Sequence, residues 1–245
     1  MPILEGKGVT KYFGGLAAVS SVDFHVEQGE ILGLIGPNGA GKTTLFNLVS
    51  AALPLSSGEI RFKGRRINGL KPYQICRLGV ARTFQEIKLC VDMPVFQNVL
   101  LGAFFGTPTH ISRVDAAGEV SQALEFVGLS AMGAIPVKDL TLVNQKRVEV
   151  ARALATGPEM LLLDELMAGL TQAEVSEAME LVTRLRDKGI TIFMVEHVMK
   201  AIMGICGRIM VLDHGEKIAD GTCQEIAADR KVIEVYLGEE PHAAS

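Results

Sequence analysis

The sequence predicts an α/β protein in which helices cover both faces of a largely parallel sheet. Two observations carry this prediction. Short apolar runs, such as 31–35, 160–164 and 191–195, alternate with segments of helical periodicity, which is the pattern of parallel strands joined by helical crossovers. In addition, a glycine-rich segment joins the first of these runs to a helix-like segment at 45–49.

The other elements follow in chain order from the same periodicities. Apolar and polar residues alternate over 22–26 and 58–64, and 79–84 also has a strand pattern. Residues 88–155 have a helical pattern and predict an inserted helical subdomain. An amphipathic helix carries Val175, Met179, Val182 and Leu185. Strands are expected at 208–213 and 216–219, on either side of a turn at 214–215.

The composition is that of a globular protein and gives no reason to expect nucleic acid. The 245 residues are 48% hydrophobic and 21% charged, with a net charge of −4. The four cysteines lie far apart with no C-x-x-C pair, which favours reduced thiols of a cytosolic protein. The N-terminus has no signal-like segment, and no apolar stretch reaches the ~20 residues of a membrane span. We therefore expect a soluble chain that reaches a membrane only by docking on another protein.

The glycine-rich segment predicts a site for a nucleoside triphosphate. It has the pattern G-x-x-x-x-G-K-[ST], between a strand and a helix. Glycines let the backbone approach the phosphates closely, and backbone N–H groups and the helix N-terminus face the negative charge. Lys42 is suited to the β- and γ-phosphates, and the Thr43 hydroxyl to Mg²⁺. The segment consists of Gly36, Pro37, Asn38, Gly39, Ala40, Gly41, Lys42 and Thr43, with Thr44 following.

Two carboxylates at the end of a buried strand predict the catalytic part of the site. The run 161–163 is three leucines, followed by Asp164 and Glu165, and ligands of open α/β sheets bind at such strand ends. Asp164 is suited to Mg²⁺, and Glu165 to deprotonating an attacking water. Taken alone, this pair is better explained as a solvated acidic turn. Beside the phosphate-loop pattern we interpret it as functional.

Gln85 and His197 are weaker candidates, because each follows a predicted strand without a motif of its own. Gln85 is a candidate ligand for Mg²⁺ or for the attacking water. His197 is a candidate hydrogen-bond donor to the γ-phosphate. Considered singly, an ordinary loop glutamine and a histidine at a helix start are the simpler interpretations.

The chain resembles the ATP-binding subunits of ABC transporters in the order of its features, which are the loop, Gln85, the helical insert, the acidic pair and His197. The resemblance spans about residues 4–237 and implies a P-loop NTPase (RecA-like) core with a mixed, largely parallel sheet, an N-terminal antiparallel β part and an inserted α-helical subdomain. It implies a core of 1–87 and 156–237, a helical subdomain of 88–155 and a flexible tail of 238–245. It also implies ATP and Mg²⁺ as cofactors and an aromatic residue stacked on adenine. Phe13 matches that position better than Tyr12.

More narrowly, five segments resemble the branched-chain amino-acid uptake group: 13–19, 81–85, 196–200, 218–222 and 235–239. This likeness implies an ATPase subunit of an importer, peripheral on the inner face of the cell membrane. The implied partners are membrane-spanning permeases, a second ATPase chain in a homodimer or heterodimer, and indirectly a periplasmic solute-binding protein. The permeases would contact the apolar residues near 85–101, although core packing explains those residues equally well. The alternatives are an ATPase for another cargo, such as lipopolysaccharide export, and a low-turnover switch or assembly factor.

The sequence departs from the family in its signature segment, which is L-S-G-G-Q in most members. Residues 140–144 read L-T-L-V-N here. Thr141 keeps a hydroxyl and Asn144 an amide, and the resemblance assigns both to nucleotide binding. Leu142 and Val143 replace both glycines, and a valine disfavours positive φ. We therefore expect weaker closure over the phosphate of a partner subunit. A second departure is Leu166, where the family usually has proline.

Overall fold

The computed structural model describes residues 2–106 and 112–237, with the side chains of Arg113 and Leu237 left aside. The strands are β1 (Pro2–Phe13), β2 (Leu16–Glu27), β3 (Ile31–Ile35), β4 (Ser57–Phe62), β5 (Arg65–Arg66), β6 (Val80–Arg82), β7 (Met160–Asp164), β8 (Thr191–Val195), β9 (Arg208–Asp213) and β10 (Glu216–Gly221). The α-helices are α1 (Lys42–Val49), α2 (Pro72–Arg77), α3 (Val95–Gly106), α4 (Arg113–Phe126), α5 (Leu142–Leu154), α6 (Gln172–Asp187), α7 (Met199–Ile205), α8 (Cys223–Ala228) and α9 (Arg230–Leu237). The predicted tail at 238–245 lies outside the described residues.

The chain divides into two compact units. The first comprises Met1–Leu70 and Thr191–Ser245, and the second comprises Lys71–Ile190. These bounds describe compactness and not function. The functional division into an ATP-binding core of 1–87 and 156–237 and a helical subdomain of 88–155 stays a prediction.

The first unit combines an antiparallel sheet with parallel strands. The antiparallel sheet has the order β2-β1-β4-β5, and β3 pairs in parallel with both β8 and β9. All residues of β3 and β8 are buried, as expected of strands covered on both faces. The ring centroid of Phe193 in β8 lies 6.1 Å from that of Phe24 in β2 and 4.9 Å from that of Phe46 in α1. These aromatic contacts form part of the core between sheet and helix.

The second unit contains the parallel pair of β6 and β7 together with α2 to α6. Every residue of β7 is buried, so its backbone is a rigid support for the residues that follow it. Helix α6 begins with a capping box, in which Thr171 Oγ1 accepts from the Glu174 N–H and the Glu174 carboxylate accepts from the Thr171 N–H. The predicted α/β class is confirmed, with parallel and antiparallel strands, an N-terminal antiparallel part and a run of helices from α3 to α5.

Several element bounds differ from those expected. The predicted strand at 79–84 extends only over Val80–Arg82, and the strand predicted at 58–64 ends at Phe62 because Lys63 and Gly64 form a turn with positive φ. Strand β1 was not predicted, because its residues do not alternate between apolar and polar. Its pairing with β2 shifts register between Gly6 and Val9 and again before Lys11, and these irregularities interrupt the period of two.

Candidate functional site

The loop between β3 and α1 has the backbone conformation that its glycines were expected to allow. Gly36, Gly39 and Gly41 have φ of 152°, 83° and 100°. A Cβ on Gly36 would lie 2.1 Å from the Leu212 carbonyl oxygen, and one on Gly41 would lie 2.3 Å from that of Ala18. Larger residues would therefore both strain the backbone and collide with neighbouring strands.

Lys42 is folded back across this loop. Its Nζ donates hydrogen bonds to the carbonyl oxygens of Gly36 at 2.7 Å and Pro37 at 2.9 Å, and the residue is only 6% exposed. The ammonium group is thus held within the loop, at the N-terminal end of α1, where the helix dipole also favours an anion. Asn38 and Thr43 are exposed, and Pro37 and Thr44 are partly exposed. The loop therefore combines fixed positive charge with accessible polar groups.

The C-terminal helix also reaches the loop, which sequence reasoning did not anticipate. The side chain of Tyr236 in α9 lies near the backbone of Gly36. Burial raises the pKa of Tyr236, and the Gly36 backbone opposes the rise. No motif at 230–237 indicated this contact, because it depends on how α9 packs.

The two aromatic candidates for adenine stacking are consecutive residues at the end of β1. Tyr12 and Phe13 are 51% and 48% exposed, so both rings are accessible. The Lys11 ammonium lies 5.3 Å from the centroid of the Phe13 ring. Exposure alone does not separate the two candidates, and Phe13 stays the prediction. His197 is exposed in the same unit, between β8 and α7.

In the second unit, Asp164 lies at the buried end of β7 and is paired with an arginine. Arg82 Nη2 donates to Asp164 Oδ2 at 2.7 Å, and their side chains are 7% and 2% exposed. The buried Oδ1 atom of Asp164 has no hydrogen-bond partner among the described residues. A buried carboxylate oxygen that no protein donor satisfies fits a water or cation ligand. The residue therefore suits the Mg²⁺ role predicted for it.

Glu165 is held at both its backbone and its side chain. It has φ of 51°, a left-handed conformation that is uncommon for a residue with a Cβ. Gln85 Nε2 donates to Glu165 Oε2 at 2.9 Å, and Lys146 Nζ donates to the Glu165 carbonyl oxygen at 2.9 Å. The structure thus brings two of the predicted catalytic residues, Gln85 and Glu165, into direct contact.

Sequence reasoning missed both Arg82 and Lys146. Arg82 stands in an otherwise apolar strand, and a charge in such a place needs a partner. That signal was available, but the partner became evident only from the pairing of β6 with β7. Lys146 gave no such signal, because a lysine in a helix is usually solvated.

The signature segment forms the start of α5. Thr141 occupies the N-cap position with φ of −64° but makes no side-chain cap hydrogen bond, and α5 begins at Leu142, which is 42% exposed. Leu142 and Val143 are both helical, so neither needs the positive φ that a valine disfavours, and the expected conflict in φ does not arise. Only the bulk of the two side chains can hinder a close approach. Asn144 Nδ2 lies 3.7 Å from Met132 Sδ, within its own unit.

The apolar residues considered for permease contact divide between core and surface. Val95 and Val99 are fully buried, so they belong to the core of the second unit. Met93 and Phe96 are partly exposed. Core packing, the alternative kept open for this segment, therefore accounts for Val95 and Val99.

No metal-binding cluster of three or more His, Cys, Asp or Glu residues occurs within 2–106 and 112–237. Over the same ranges, no helix has the length and apolar character needed to cross a membrane.

A glycine loop with an embedded lysine, and a strand that ends in two carboxylates, define an α/β protein of the nucleotide-binding class. The family described as ABC transporter matches residues 19–168, and the one described as branched-chain amino acid ATP-binding cassette transporter matches 216–242. The chain belongs to the ABC transporter family and has the fold of its P-loop ATPase cassettes.

Relatives match over nearly the full length. The chain is 40% identical to the high-affinity branched-chain amino acid transport ATP-binding protein LivG of Salmonella typhimurium, over 97% of this chain and 98% of that protein. It is 38% identical to BraF of Pseudomonas aeruginosa, which has the same description, with the same coverage. The crystal structure of the ADP conformation of MJ1267, an ATP-binding cassette of an ABC transporter, matches with a TM-score of 0.89 at 30% identity. That match covers 98% of this chain and 100% of the other.

Proposed function

We propose that this chain is the ATP-hydrolysing subunit of an importer for branched-chain or related hydrophobic amino acids. The observation that carries the proposal is the loop at 36–43, in which Lys42 is buried against the carbonyls of Gly36 and Pro37. The substrate class rests on the match of the C-terminal segment 216–242 and on the LivG and BraF relatives. ATP hydrolysis would drive the conformational change that moves the substrate through membrane-spanning partners.

In this proposal the first unit binds the nucleotide. The backbone N–H groups of 36–44 and the Lys42 ammonium bind the phosphates, because a lysine and a helix N-terminus both favour a dense negative charge. Phe13 stacks on the adenine, a role that needs only a flat apolar face. His197 donates a hydrogen bond to the γ-phosphate.

The second unit supplies the acid and amide groups of hydrolysis. Asp164 and Gln85 would hold Mg²⁺, and the Thr43 hydroxyl stays a predicted ligand from its place in the phosphate-loop motif. When bound, this ion neutralises charge on the β- and γ-phosphate oxygens. Glu165 accepts a proton from the attacking water, and Gln85 orients the Glu165 carboxylate through the hydrogen bond to Oε2.

We further propose that two ATPase chains close over two ATP molecules, with Thr141 and Asn144 facing the partner's nucleotide. Closure would pass to two permeases, and a periplasmic protein would deliver the amino acid to them. The chain would then work as a peripheral protein on the inner face of the membrane. Residues 88–155 would act as the helical subdomain and 1–87 with 156–237 as the ATP-binding core.

Uptake by intact cells tests the proposal. In the source organism, deletion of the gene should lower the uptake of radiolabelled leucine, isoleucine and valine. The wild-type gene and a Glu180→Gln variant should restore it, since Glu180 is exposed on α6, whereas Glu165→Gln should not. Unchanged uptake of all three amino acids in the deletion strain would reject the substrate class. In that case purified protein would be tested for another cargo or for a low-turnover role.

A further inference from the structure

We propose that Lys146 is a positioning residue for the catalytic reaction, and that it acts by holding the backbone of Glu165 in its left-handed conformation. The inference rests on the role proposed above for Glu165 as general base. It goes further by assigning a function to a side chain of α5 that touches no nucleotide group in that proposal. Three observations in the second unit support it.

The first observation is that Glu165 occupies an unfavourable backbone conformation. Its φ of 51° puts the Cβ close to neighbouring backbone atoms, a cost that a glycine would avoid. Such a conformation persists only where surrounding contacts enforce it. Because φ sets the direction in which the side chain leaves the backbone, it also sets where the carboxylate lies.

The second observation identifies a contact that enforces this conformation. Lys146 Nζ lies 2.9 Å from the Glu165 carbonyl oxygen, and Lys146 is only 7% exposed. A hydrogen bond from an ammonium group is stronger than one from a neutral donor, and burial protects it from competing water. This bond fixes the peptide group that follows Glu165, while Gln85 fixes the carboxylate.

The third observation is that the same part of α5 also holds the loop after Gln85. Glu149 Oε1 accepts from the Lys88 N–H at 3.0 Å, and Arg152 Nη1 donates to the Lys88 carbonyl oxygen at 2.6 Å. Glu149 is buried, which raises its pKa, and the hydrogen bond from Lys88 and the charges of Arg152 and Lys146 oppose that rise. One helix therefore anchors both segments that meet at the Glu165 carboxylate. A role in positioning follows from this shared anchor.

The test compares Lys146→Met with Lys146→Arg and with Lys138→Met. Methionine keeps much of the lysine volume but has no donor, and arginine restores a cationic donor. Lys138 is an exposed lysine of the same unit, paired with Asp92. We expect Lys146→Met to lower kcat for ATP hydrolysis roughly 10- to 100-fold with KM within about twofold of wild type, because misplacing a reacting group costs rate more than binding. Lys146→Arg should recover most of the rate, and Lys138→Met should match wild type.

A crystal structure of Lys146→Met supplies a readout that does not depend on turnover. We expect Glu165 to leave the left-handed region in the variant. If Lys146→Met does not fold, Lys146→Gln, whose amide reaches less far, replaces it in both measurements. A kcat within about twofold of wild type, or a Glu165 backbone that stays left-handed without the ammonium, would overturn the inference. A wild-type chain that hydrolyses no Mg-ATP even with the second ATPase and the permeases co-expressed would instead reject the proposed function, and the backbone test would still apply.

Discussion

The Arg82 guanidinium and the Asp164 carboxylate form an ion pair of 2.7 Å in which both side chains are almost fully buried. Arg82 ends β6 and Asp164 ends β7, so the pair joins the ends of two parallel strands. It leaves Asp164 Oδ1 without a hydrogen-bond partner among the described residues. Arg82 thus balances the charge of the buried Asp164 carboxylate, and the Oδ1 atom of that carboxylate is left for a ligand.

Arg82→Met should destabilise the protein strongly. Removing one member of a buried pair leaves the other charge uncompensated, which costs about 3–5 kcal/mol in the free energy of unfolding. Urea denaturation measures this change. Arg186→Met is the matched control, because Arg186 of the same unit pairs with Asp187 with both side chains largely in solvent, and it should lose no more than about 1 kcal/mol. Equal losses in the two variants would contradict the role given to the buried pair.

Lys42→Ala should weaken ATP binding roughly 10- to 100-fold, because hydrogen bonds from a charged donor contribute about 1.5–3 kcal/mol. Isothermal titration calorimetry measures the Kd. The exposed Lys7, in the same unit, provides the control variant Lys7→Ala, which should bind as wild type does. Wild-type affinity in Lys42→Ala would remove the lysine from the proposed phosphate site.

Glu165→Gln should preserve ATP binding and nearly abolish hydrolysis. The amide keeps the size of the side chain but cannot accept a proton from water, and loss of a general base costs about 10²–10⁴ in rate. A phosphate-release assay measures the rate, with Glu180→Gln as the control. Size-exclusion chromatography should show a longer-lived ATP-bound dimer. A rate within about twofold of wild type would refute the assignment of Glu165.

The fourth prediction concerns the signature segment. We hypothesise that the side chains of Leu142 and Val143 weaken ATP-driven closure in a homodimer, and that the physiological partner is a different ATPase. Such a pair would have two unequal sites. One would combine this chain's Lys42 and Glu165 with a glycine-containing signature of the partner, and it would hydrolyse ATP faster than the site that uses this chain's own signature. The ATPase rate should therefore be low for this chain alone and should rise with the co-expressed second ATPase and permeases.

Replacing both Leu142 and Val143 with glycine should raise the rate of the isolated chain. The same double replacement of Gln172 and Ala173, in the first turn of α6, controls for the loss of helix stability that glycine causes. Full activity of the chain alone, unchanged by the double glycine variant, would show that homodimers suffice.

The site divides into parts that local sequence could predict and parts that it could not. The loop at 36–43 was predictable because its glycines, lysine and threonine are adjacent in the chain and form one phosphate-binding motif. Asp164 and Glu165 were likewise predictable from the apolar strand before them. The contacts of Arg82 and Lys146 were not, because their partners lie 82 and 19 residues away.

The sequence by itself determined the α/β class, the buried strands β3, β7 and β8, and the identity of the phosphate loop. Each of these depends on periodicity or composition within a short window. The tertiary structure decided the irregular pairing of β1 with β2, the left-handed conformation of Glu165 and the contacts that enforce it. Such features depend on which segments pack together, and the free energy that stabilises an unfavourable φ or a buried charge comes from residues distant in the chain.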